Sequence, residues 1–323
     1  MISRQEVIEL LGSDWTTLQE RIRGALASDI RLLDDINGSI LSTTGKQLRP
    51  MLGLLVAGAL GTVNSDSISY AAAGELLHNA TLLHDDVVDQ SATRRGKPTV
   101  SALMGPGAAV LAGDFWLSRT VGTIVGTTHQ DQVIPFFAKT LSDLSEGELL
   151  QMEKSSTADT TEEDYCRIVY CKTASLFETV CLAAAVSVDA SPELRAAAAR
   201  YGAATGMAFQ IRDDIFDYGD PTQIGKPTGS DLRERKITLP LLGVLRNSPD
   251  EAFIRSLVAD IPSNPSNADR VRSFVLDGGG IEYASLRLDG HISEALEALE
   301  AFPPSERKDF LAALARFNAV RQS

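Results

Sequence analysis

Apolar residues recur at helical spacing along most of the chain, and they predict a protein built almost entirely from helices. Five segments combine a period of three to four residues with an abundance of alanine and leucine: residues 48–60, 68–88, 108–124, 133–152 and 194–218. Runs in which β-branched residues alternate with polar ones are nearly absent, so a substantial sheet is not expected.

Turn and capping signals divide the helical segments. Pro192 follows Ser191 as the first residue of a predicted helix. Two other starts have the residue order of capping boxes: Thr160-Thr161-Glu162-Glu163 and Ser248-Pro249-Asp250-Glu251. Breaks are predicted at residues 37–45, 90–98, 154–159, 219–229 and 278–280. None has the length or composition of a domain linker, so the sequence predicts a single all-α domain over residues 1–323.

The composition limits the class of protein. With 323 residues, 44% of them hydrophobic, the chain can bury a sizeable core. A formal net charge of −13 argues against nucleic acid as a partner, because a phosphate backbone requires a basic surface. Three cysteines without metal-site spacing indicate reduced thiols: Cys166, Cys171 and Cys181. No signal core and no uncharged apolar stretch of about 18 residues is found, so a soluble, cytoplasmic protein is predicted.

Two aspartate clusters with the same internal spacing end predicted helices, and we call them the first and the second cluster. They are Asp85-Asp86-Val87-Val88-Asp89 and Asp213-Asp214-Ile215-Phe216-Asp217. The first and last aspartates of each cluster lie one turn apart on one face, where the helix dipole and mutual repulsion disfavour carboxylates. A divalent cation offsets both effects, and ligands that are all oxygen favour Mg²⁺. A solvated helix end explains one such cluster, whereas two clusters favour a metal site.

Basic residues lie beside both clusters. The first is followed by Arg94-Arg95-Gly96-Lys97-Pro98, and the second by Gly225-Lys226-Pro227, Arg233, Arg235 and Lys236. A third basic segment opens an apolar helix and reads Gly45-Lys46-Gln47-Leu48-Arg49-Pro50. In an acidic protein, cations beside carboxylates predict an anionic ligand, namely phosphate groups that Mg²⁺ couples to the aspartates. Surface salt bridges are the alternative explanation for any single basic residue.

These motifs resemble those of the trans-isoprenyl diphosphate synthases, in particular the long-chain, octaprenyl-type members. Residues 84–96 are similar to the first aspartate-rich motif of that family, and residues 209–217 to the second. Further landmarks follow in the family's order: the turn at residues 45–50, Glu146-Gly147-Glu148, Lys172-Thr173-Ala174, and Lys226 with Lys236-Ile237-Thr238-Leu239-Pro240. The resemblance covers residues 40–245. One departure lies at Thr44-Gly45-Lys46-Gln47, where the family more often has a second glycine and a basic residue at the Gln47 position.

The resemblance implies an all-α bundle with a central cavity, in which an allylic diphosphate is joined to isopentenyl diphosphate. It implies that Asp85 and Asp89 hold two Mg²⁺ ions and that Asp213 holds a third, giving about three ions per active site. The predicted metal site takes in the remaining aspartates of the clusters as well: Asp86, Asp214 and Asp217.

The resemblance also assigns cations to the two substrates. The allylic diphosphate would be bound by Arg94, Lys172 and Lys226, with Lys236 nearby. Isopentenyl diphosphate would be bound by Lys46, Arg49, His78 and Arg95. Three residues would steady the allylic carbocation that forms when diphosphate departs: Lys172, Thr173 and Gln210. His84, next to the first cluster, is expected to have a structural role.

Product length is predicted from the helix that precedes Asp85. The positions four and five residues earlier hold Thr81 and Ala80, which lie about 6 to 7.5 Å deeper at a rise of about 1.5 Å per residue. Family members with short products carry a large aromatic residue near here. Small residues therefore imply a long all-trans product, about C30 to C50, of the kind used as a quinone side chain. Phe115 and Trp116 are candidates for closing the cavity.

Three other functions remain open from the sequence: a short-chain synthase, a terpene cyclase and a non-catalytic subunit of a heteromeric synthase. A cyclase needs no second diphosphate site, so Lys46, Arg49 and Arg95 argue against it. A non-catalytic subunit is expected to lose one aspartate cluster, and both are intact. The resemblance also implies a homodimer, and it allows transient membrane contact during product release.

Overall fold

The computed structural model describes residues 3–42, 45–219, 228–246 and 248–320, with side chains as far as residue 316. Within these ranges the protein is all-α apart from one hairpin, which confirms the predicted fold class. The elements of the first half are α1 (Arg4–Leu11), α2 (Ser13–Leu26), α3 (Arg31–Ser42), α4 (Leu48–Leu60), α5 (Ser65–Val88), β1 (Thr93–Arg94), β2 (Lys97–Pro98), α6 (Val100–Met104), α7 (Pro106–Ile124) and α8 (Gln130–Thr157).

The second half continues with a π-helical segment inserted between two α-helices. Its elements are α9 (Glu162–Val169), the π segment (Tyr170–Ala174), α10 (Ser175–Ser187), α11 (Pro192–Asp217), α12 (Ser230–Arg233), α13 (Leu239–Leu245), α14 (Glu251–Ala259), α15 (Asn267–Asp277), α16 (Gly280–Glu300) and α17 (Glu306–Val320). The chain forms two compact units, each described separately below. The first comprises Met1–Phe137, Thr179–Ala198 and Phe302–Leu311, and the second comprises Ala138–Glu178, Ala199–Ala301 and Ala312–Ser323.

Helix α5 is the central element of the first unit. It packs against α2, α4 and α7, and most of its residues up to Leu83 are buried on every side of the helix. A helix surrounded in this way needs apolar residues on all faces rather than on one stripe. Its start is fixed by a capping box, in which Asn64 Oδ1 accepts a 2.9 Å hydrogen bond from Ser67 N. Burial and capping together define where α5 begins and therefore where the first cluster lies.

The second unit has its own apolar core, in which α13 packs against α9, α15 and α16. Leu241 and Leu245 of α13 are fully buried, as are Ile211 of α11 and Val275 of α15. Tyr218, immediately after α11, is fully buried in the same core. The end of α11, and with it the second cluster, is thus held in place by the core of the second unit.

All five helices predicted from periodicity are present, and one has the expected limits. Residues 48–60 coincide with α4, whereas α5, α7, α8 and α11 start earlier than predicted, and α8 also ends later. The predicted break at residues 37–45 is wrong for residues 37–42, because α3 continues to Ser42. Asn37 gives a physical reason: its amide is buried, donates to Leu26 O at 2.8 Å and accepts from Trp116 Nε1 at 2.8 Å. A residue that reads as a helix breaker is here a core hydrogen-bonding group.

The predicted helix starts are partly right. Pro192 is the first residue of α11, as expected. The capping box before α9 is shifted by one residue, because Thr161 and Asp164 form it. The capping box at Ser248 is wrong, since Asp250 precedes α14 and Ser248 Oγ only accepts from Asp250 N. Residue 154 was expected to begin a break, but α8 continues to Thr157.

In the part of the chain that the structure describes, one helical stretch meets the length and hydropathy of a membrane span. It runs over Glu162–Ser187, and 78% of its most apolar window is buried inside the protein. Burial of this kind is typical of a core helix, whose apolar side chains contact protein rather than lipid.

Candidate active site

The first cluster lies at the C-terminal end of α5, where the helix closes with a Schellman motif. Gln90 adopts the left-handed conformation with φ 50°. Its N–H donates to Val87 O at 3.3 Å, and the N–H of Ser91 donates to Asp86 O at 3.0 Å. Asp89 is the C-cap residue. Asp85 is half-buried and Asp89 is exposed, so both carboxylates are accessible to a ligand.

Asp86 differs from its two neighbours, because it is only 5% exposed. Its Oδ1 accepts a 2.7 Å hydrogen bond from Nε of Arg94, and the two side chains form an ion pair. Arg94 itself lies on β1 of the hairpin that follows the cluster. The cluster therefore contains two accessible carboxylates and one that is already bound to a cation.

The β1–β2 hairpin carries two arginines, Arg94 on β1 and Arg95 in the two-residue turn. Arg94 pairs with Lys97 in the antiparallel register, and Arg95 and Gly96 occupy the turn with φ 53° and 76°. Positive φ at both central residues is the requirement of a type I′ hairpin. Thr99 closes the hairpin, since its Oγ1 donates to Ser91 O at 2.7 Å. Arg95 thus lies at the tip of a short, closed loop, and its charge acts on Glu75 and His78 of α5.

The guanidinium of Arg95 lies against the basic turn that precedes α4. A Cβ added to Gly45 would lie 2.6 Å from Cζ of Arg95, so no larger residue fits there without displacing the arginine. Gln47, the N-cap residue of α4, is buried in the left-handed conformation with φ 51°. Arg4 of α1 donates from Nε to Lys46 O at 3.2 Å. Lys46 itself is exposed at the surface of this turn.

A group of charged residues surrounds His78 in the interior of the first unit. Burial, together with the positive charges of Arg49, Arg95 and Arg94, holds the pKa of His78 well below its ordinary value. Burial lowers the pKa of Arg49 to about 10, and Glu75 opposes that shift. Burial also raises the pKa of the Glu75 carboxyl, against hydrogen bonding from Asn79 and the charge of Arg49. Arg49 and Arg95 thus both act electrostatically on His78.

Glu75 is the residue of this group that the sequence reading missed. It is 4% exposed, and Asn79 Nδ2 donates to its Oε1 at 3.1 Å. The available signal was a single charged residue within the apolar stretch of residues 70–77. Carboxylates in such positions are nearly always paired, so the residue pointed to a buried cation.

The residues predicted to set product length and to close the cavity lie on α5 and α7. Ala80 is fully buried, and Thr81 is half-buried with its hydroxyl donating to His78 O at 2.9 Å. Trp116 is fully buried and bonded to Asn37, whereas Phe115 is half-buried beneath Arg119.

His84 contacts α7 rather than the first cluster. Its Nε2 lies 3.3 Å from both Val110 O and Asp114 Oδ1, in keeping with the structural role expected for it. Those contacts join the end of α5 to the side of α7.

The second cluster lies at the C-terminal end of α11 in the second unit. Asp213 is half-buried, with Arg212 Nη2 3.9 Å from its Oδ1. Asp214 is buried and accepts from the hydroxyl of Tyr165 at 2.6 Å and from Gln210 Nε2 at 2.8 Å. Burial, and then the negative charge of Asp231, raises the pKa of the Asp214 carboxyl well above its ordinary value. Asp213 is thus the accessible member of this pair.

Asp217, the last aspartate of the second cluster, binds backbone groups that follow it in the chain. Its Oδ1 accepts from Ser230 N at 3.1 Å and Ser230 Oγ at 3.0 Å, and its Oδ2 accepts from Asp231 N at 2.9 Å. Arg272 of α15 donates to Tyr218 O and Gly219 O at 2.9 and 3.0 Å. A cation at the end of α11 satisfies its terminal carbonyls and offsets its dipole.

Lys172 and Thr173 lie on the π-helical segment, a local widening of the helix that is frequent at functional sites. Lys172 Nζ is 2.5 Å from Glu148 Oε2, and Thr173 Oγ1 donates to Gln210 Oε1 at 3.0 Å. Gly147 of α8 permits the π segment to approach closely, because a Cβ at Gly147 would lie 2.7 Å from Cys171 Cβ. Gln210 links Thr173 to Asp214, so three predicted site residues share one network. The π segment had no signal in the sequence.

Two further cations were predicted to bind the allylic diphosphate or lie near it, namely Lys226 and Lys236. Lys236 Nζ lies 2.5 Å from Glu234 Oε2, and its backbone N–H donates to Asp231 O at 2.7 Å. Lys226 lies outside the described residues.

The donor chemistry fits Mg²⁺ on the accessible carboxylates. Among the described residues, no group of three His, Cys, Asp or Glu side chains converges to form a complete metal site. Mg²⁺ commonly keeps several waters and binds to one or two carboxylates together with substrate phosphates. Asp85 and Asp89 offer such a partial set, one turn apart at the end of α5.

An all-α fold, aspartate clusters ending two long helices and cations beside each cluster define a class of enzymes that act on isoprenoid diphosphates. The model of the polyprenyl synthetase family matches residues 30–275. The chain therefore belongs to the polyprenyl synthetase family, and it is a prenyltransferase of the trans-prenyl diphosphate synthase type.

Two similar proteins differ in the length of their products. The chain is 35% identical to the octaprenyl diphosphate synthase of Haemophilus influenzae, over 99% of this chain and 98% of the relative. It is 34% identical to a short chain isoprenyl diphosphate synthase of Methanothermobacter thermautotrophicus, over 98% of this chain and 99% of that relative. Family membership therefore leaves the product length open.

A solved structure with the same fold contains a ligand of the expected kind. The polyprenyl synthase of Caulobacter crescentus, complexed with calcium and isoprenyl diphosphate, superposes with a TM-score of 0.90 at 31% identity. The match covers 99% of this chain and 98% of that one.

Proposed function

We propose that this protein is a Mg²⁺-dependent synthase that extends an allylic diphosphate, of farnesyl or geranylgeranyl type, with successive isopentenyl diphosphates to a long all-trans polyprenyl diphosphate. The observation that carries the proposal is the presence of two different sites along α5, one suited to a metal ion and one suited to an anion. Accessible carboxylates end the helix at Asp85 and Asp89, and a separate cationic environment of Arg49, His78 and Arg95 lies beside it. An enzyme that joins two diphosphates needs both.

Each group of residues has a task in this reaction. Asp85 and Asp89 of the first unit would hold Mg²⁺, as would Asp213 of the second, and the metal would supply positive charge to the departing diphosphate. Arg94 adds a guanidinium beside the first cluster for the same diphosphate. The allylic C–O bond breaks with both electrons leaving on diphosphate. The double bond of isopentenyl diphosphate then forms the new C–C bond, and a proton passes to the released diphosphate.

The second diphosphate would be held by Lys46, Arg49, His78 and Arg95. A depressed pKa keeps His78 neutral near pH 7, so the imidazole binds phosphate by hydrogen bonding and adds no charge to a site that already contains two guanidinium groups. Gly45 supports this assignment, because it lets Arg95 lie directly on the basic turn.

Lys172, Thr173 and Gln210 would steady the carbocation. Thr173 donates its hydroxyl hydrogen to Gln210, which leaves the lone pairs of the Thr173 oxygen available to a positive centre. Glu148 and Asp214 fix Lys172 and Gln210 in turn. Asp214 and Asp217 remain predicted as metal ligands, although each already accepts hydrogen bonds from protein donors. Asp86, which the sequence groups with them, is paired with Arg94.

A product of about C30 to C50 is supported by the small size of Ala80 and Thr81 on α5. Ala80→Phe should shorten the product, because the ring would occupy space beside the growing chain. Ala80→Ser, which stays small, is the matched control and should leave the product-length distribution unchanged. An unchanged distribution in Ala80→Phe would mean that Ala80 does not line the cavity.

The direct test is incubation with farnesyl and isopentenyl diphosphates, with Mg²⁺ or with EDTA, followed by chromatography of the products. A long-chain synthase consumes both substrates only with Mg²⁺ and yields products beyond C20. A short-chain synthase stops by about C20. A terpene cyclase consumes farnesyl diphosphate alone, and a non-catalytic subunit consumes neither.

We also propose a cytoplasmic homodimer, a state that the exposed apolar side chains of α6 and α7 support. Leu103, Leu111 and Val121 are 62%, 70% and 53% exposed, and isolated surface helices rarely present so many apolar groups. A second copy would cover them. Light scattering after size-exclusion chromatography should give twice the chain mass, and Leu111→Lys should reduce it to that of a monomer.

A further inference from the structure

Asp86 lies on a different side of α5 from the two accessible carboxylates. Successive residues on an α-helix are separated by about 100° around the axis, so Asp86 turns away from Asp85. Its side chain is 8% exposed and reaches the hairpin instead of the solvent-accessible end of the helix. The same spacing that places Asp85 and Asp89 one turn apart thus gives Asp86 a separate environment.

The contact between Asp86 and Arg94 uses one specific nitrogen. Nε of Arg94 donates to Asp86 Oδ1 at 2.7 Å, so this bond does not involve the two terminal NH₂ groups of the guanidinium. A planar guanidinium held at Nε is fixed in orientation, and its terminal groups are the ones suited to phosphate oxygens. Asp86 is nearly buried, whereas the side chain of Arg94 is 37% exposed, so the pair joins the end of α5 to a group that a ligand can reach.

Asp86 fixes the hairpin through its backbone as well. Its carbonyl accepts from Ser91 N at 3.0 Å, which closes the Schellman motif. Ser91 O in turn accepts from Thr99 Oγ1 at the far end of the hairpin. The side chain of Asp86 thus holds β1, and its carbonyl holds the entry to the same hairpin.

We propose that Asp86 is a positioning residue, which orients Arg94 and the β1–β2 hairpin toward the allylic diphosphate and is not itself a metal ligand. The inference rests on the proposed function. It separates the first cluster into two carboxylates for metal and one for an arginine. Its chemical consequence is that loss of Asp86 weakens allylic substrate binding through Arg94 alone.

The experiment is a double-mutant cycle between Asp86→Ala and Arg94→Gln, with Asp85→Asn as the metal-ligand comparison. Asp86→Ala should raise the KM for the allylic diphosphate about tenfold, while the Mg²⁺ concentration for half-maximal turnover stays within about twofold of wild type. In the Arg94→Gln background the same substitution should change that KM by less than about twofold. Asp86→Asn retains an acceptor for Nε and should recover most of the loss.

Two outcomes would overturn the proposal. A shift in Mg²⁺ dependence as large as that of Asp85→Asn would make Asp86 a metal ligand. A full KM increase in the Arg94→Gln background would show that Asp86 acts without Arg94. If circular dichroism shows that Asp86→Ala does not fold, Asp86→Leu, which keeps the volume of the side chain and removes the acceptor, replaces it in the same comparisons. Absence of turnover in wild type would refute the proposed function instead. The double-mutant cycle would then be measured through the affinity of each variant for inorganic diphosphate.

Discussion

The two aspartate clusters have the same spacing and the same place at a helix end, yet their inner carboxylates have different partners. In the first cluster Asp86 pairs with Arg94, which lies eight residues further along the chain. In the second, Asp214 binds the hydroxyl of Tyr165, which belongs to α9. The first cluster has two accessible aspartates, Asp85 and Asp89, whereas in the second Asp213 is accessible and Asp217 is buried.

The helix ends differ in the same way. α5 ends in a Schellman motif made by its own next residues, Gln90 and Ser91. The end of α11 also accepts donors from its own next residues, Tyr218 and Gly219. In addition it uses distant donors, since Arg272 binds Tyr218 O and Gly229 N donates to Asp217 O at 2.8 Å. A helix end that satisfies its own carbonyls can lead directly into a compact hairpin. One that relies on distant donors depends on the packing of its unit.

The largest expected effect concerns the aspartates that the two clusters have in common. Asp85→Ala and Asp213→Ala should each lower turnover by about a thousandfold or more, because each removes a proposed ligand of the metal that would stabilise the leaving diphosphate. Steady-state assays at saturating Mg²⁺ measure this. Near-normal turnover in either variant would remove that cluster from the metal site.

Substitution of Arg95 tests whether the hairpin turn and the first cluster bind different substrates. Arg95→Ala should raise the KM for isopentenyl diphosphate about tenfold and leave that for the allylic substrate within about twofold, because Arg95 lies on the basic turn rather than on Asp86. Initial-rate kinetics with each substrate varied in turn provide the measurement. An effect confined to the allylic substrate would exchange the assignments of Arg94 and Arg95.

Tyr165 tests how far the second cluster depends on remote packing. Tyr165→Phe should lower the free energy of unfolding by about 1–3 kcal/mol, because it deprives the buried Asp214 of a donor. The matched control is Tyr283→Phe, whose hydroxyl binds the less buried Glu162 and which should lose less stability. Urea denaturation measures both. Equal losses would mean that burial of Asp214 does not govern the effect.

The smallest expected effect concerns His78 of the first unit and the dependence of stability on pH. Its pKa is lowered in the folded protein by burial and by neighbouring arginines, so below the ordinary value of 6.5 the unfolded chain binds a proton that the folded chain does not. Stability should therefore fall as pH decreases from about 6.5, with a slope of at most one proton. His78→Gln should remove this part of the slope in denaturation curves between pH 7 and pH 5. An unchanged pH dependence of stability in the variant would mean that other titratable groups cause it.

The sequence predicted much of the fold because long apolar segments with a helical period have few alternatives. Residues 48–60 match α4 throughout. Prediction from the sequence failed where side chains form hydrogen bonds with partners distant in sequence. Asn37 reads as a break but bonds Leu26 and Trp116, and Ser248 reads as a cap but only supports Asp250. The π segment under Lys172 and Thr173 depends on close packing against Gly147, which no local pattern reveals.

By itself the sequence determined that both clusters end helices, that cations follow them and that the chain has the motifs of a polyprenyl synthetase. These properties depend on residue type and spacing within a few turns. Only the tertiary structure decided which aspartates are accessible, that Glu75 lies buried beside Arg49, and that Arg95 rests on Gly45 while Arg94 turns to Asp86. Burial and ion pairing join residues far apart in the chain, so they follow from packing and not from spacing.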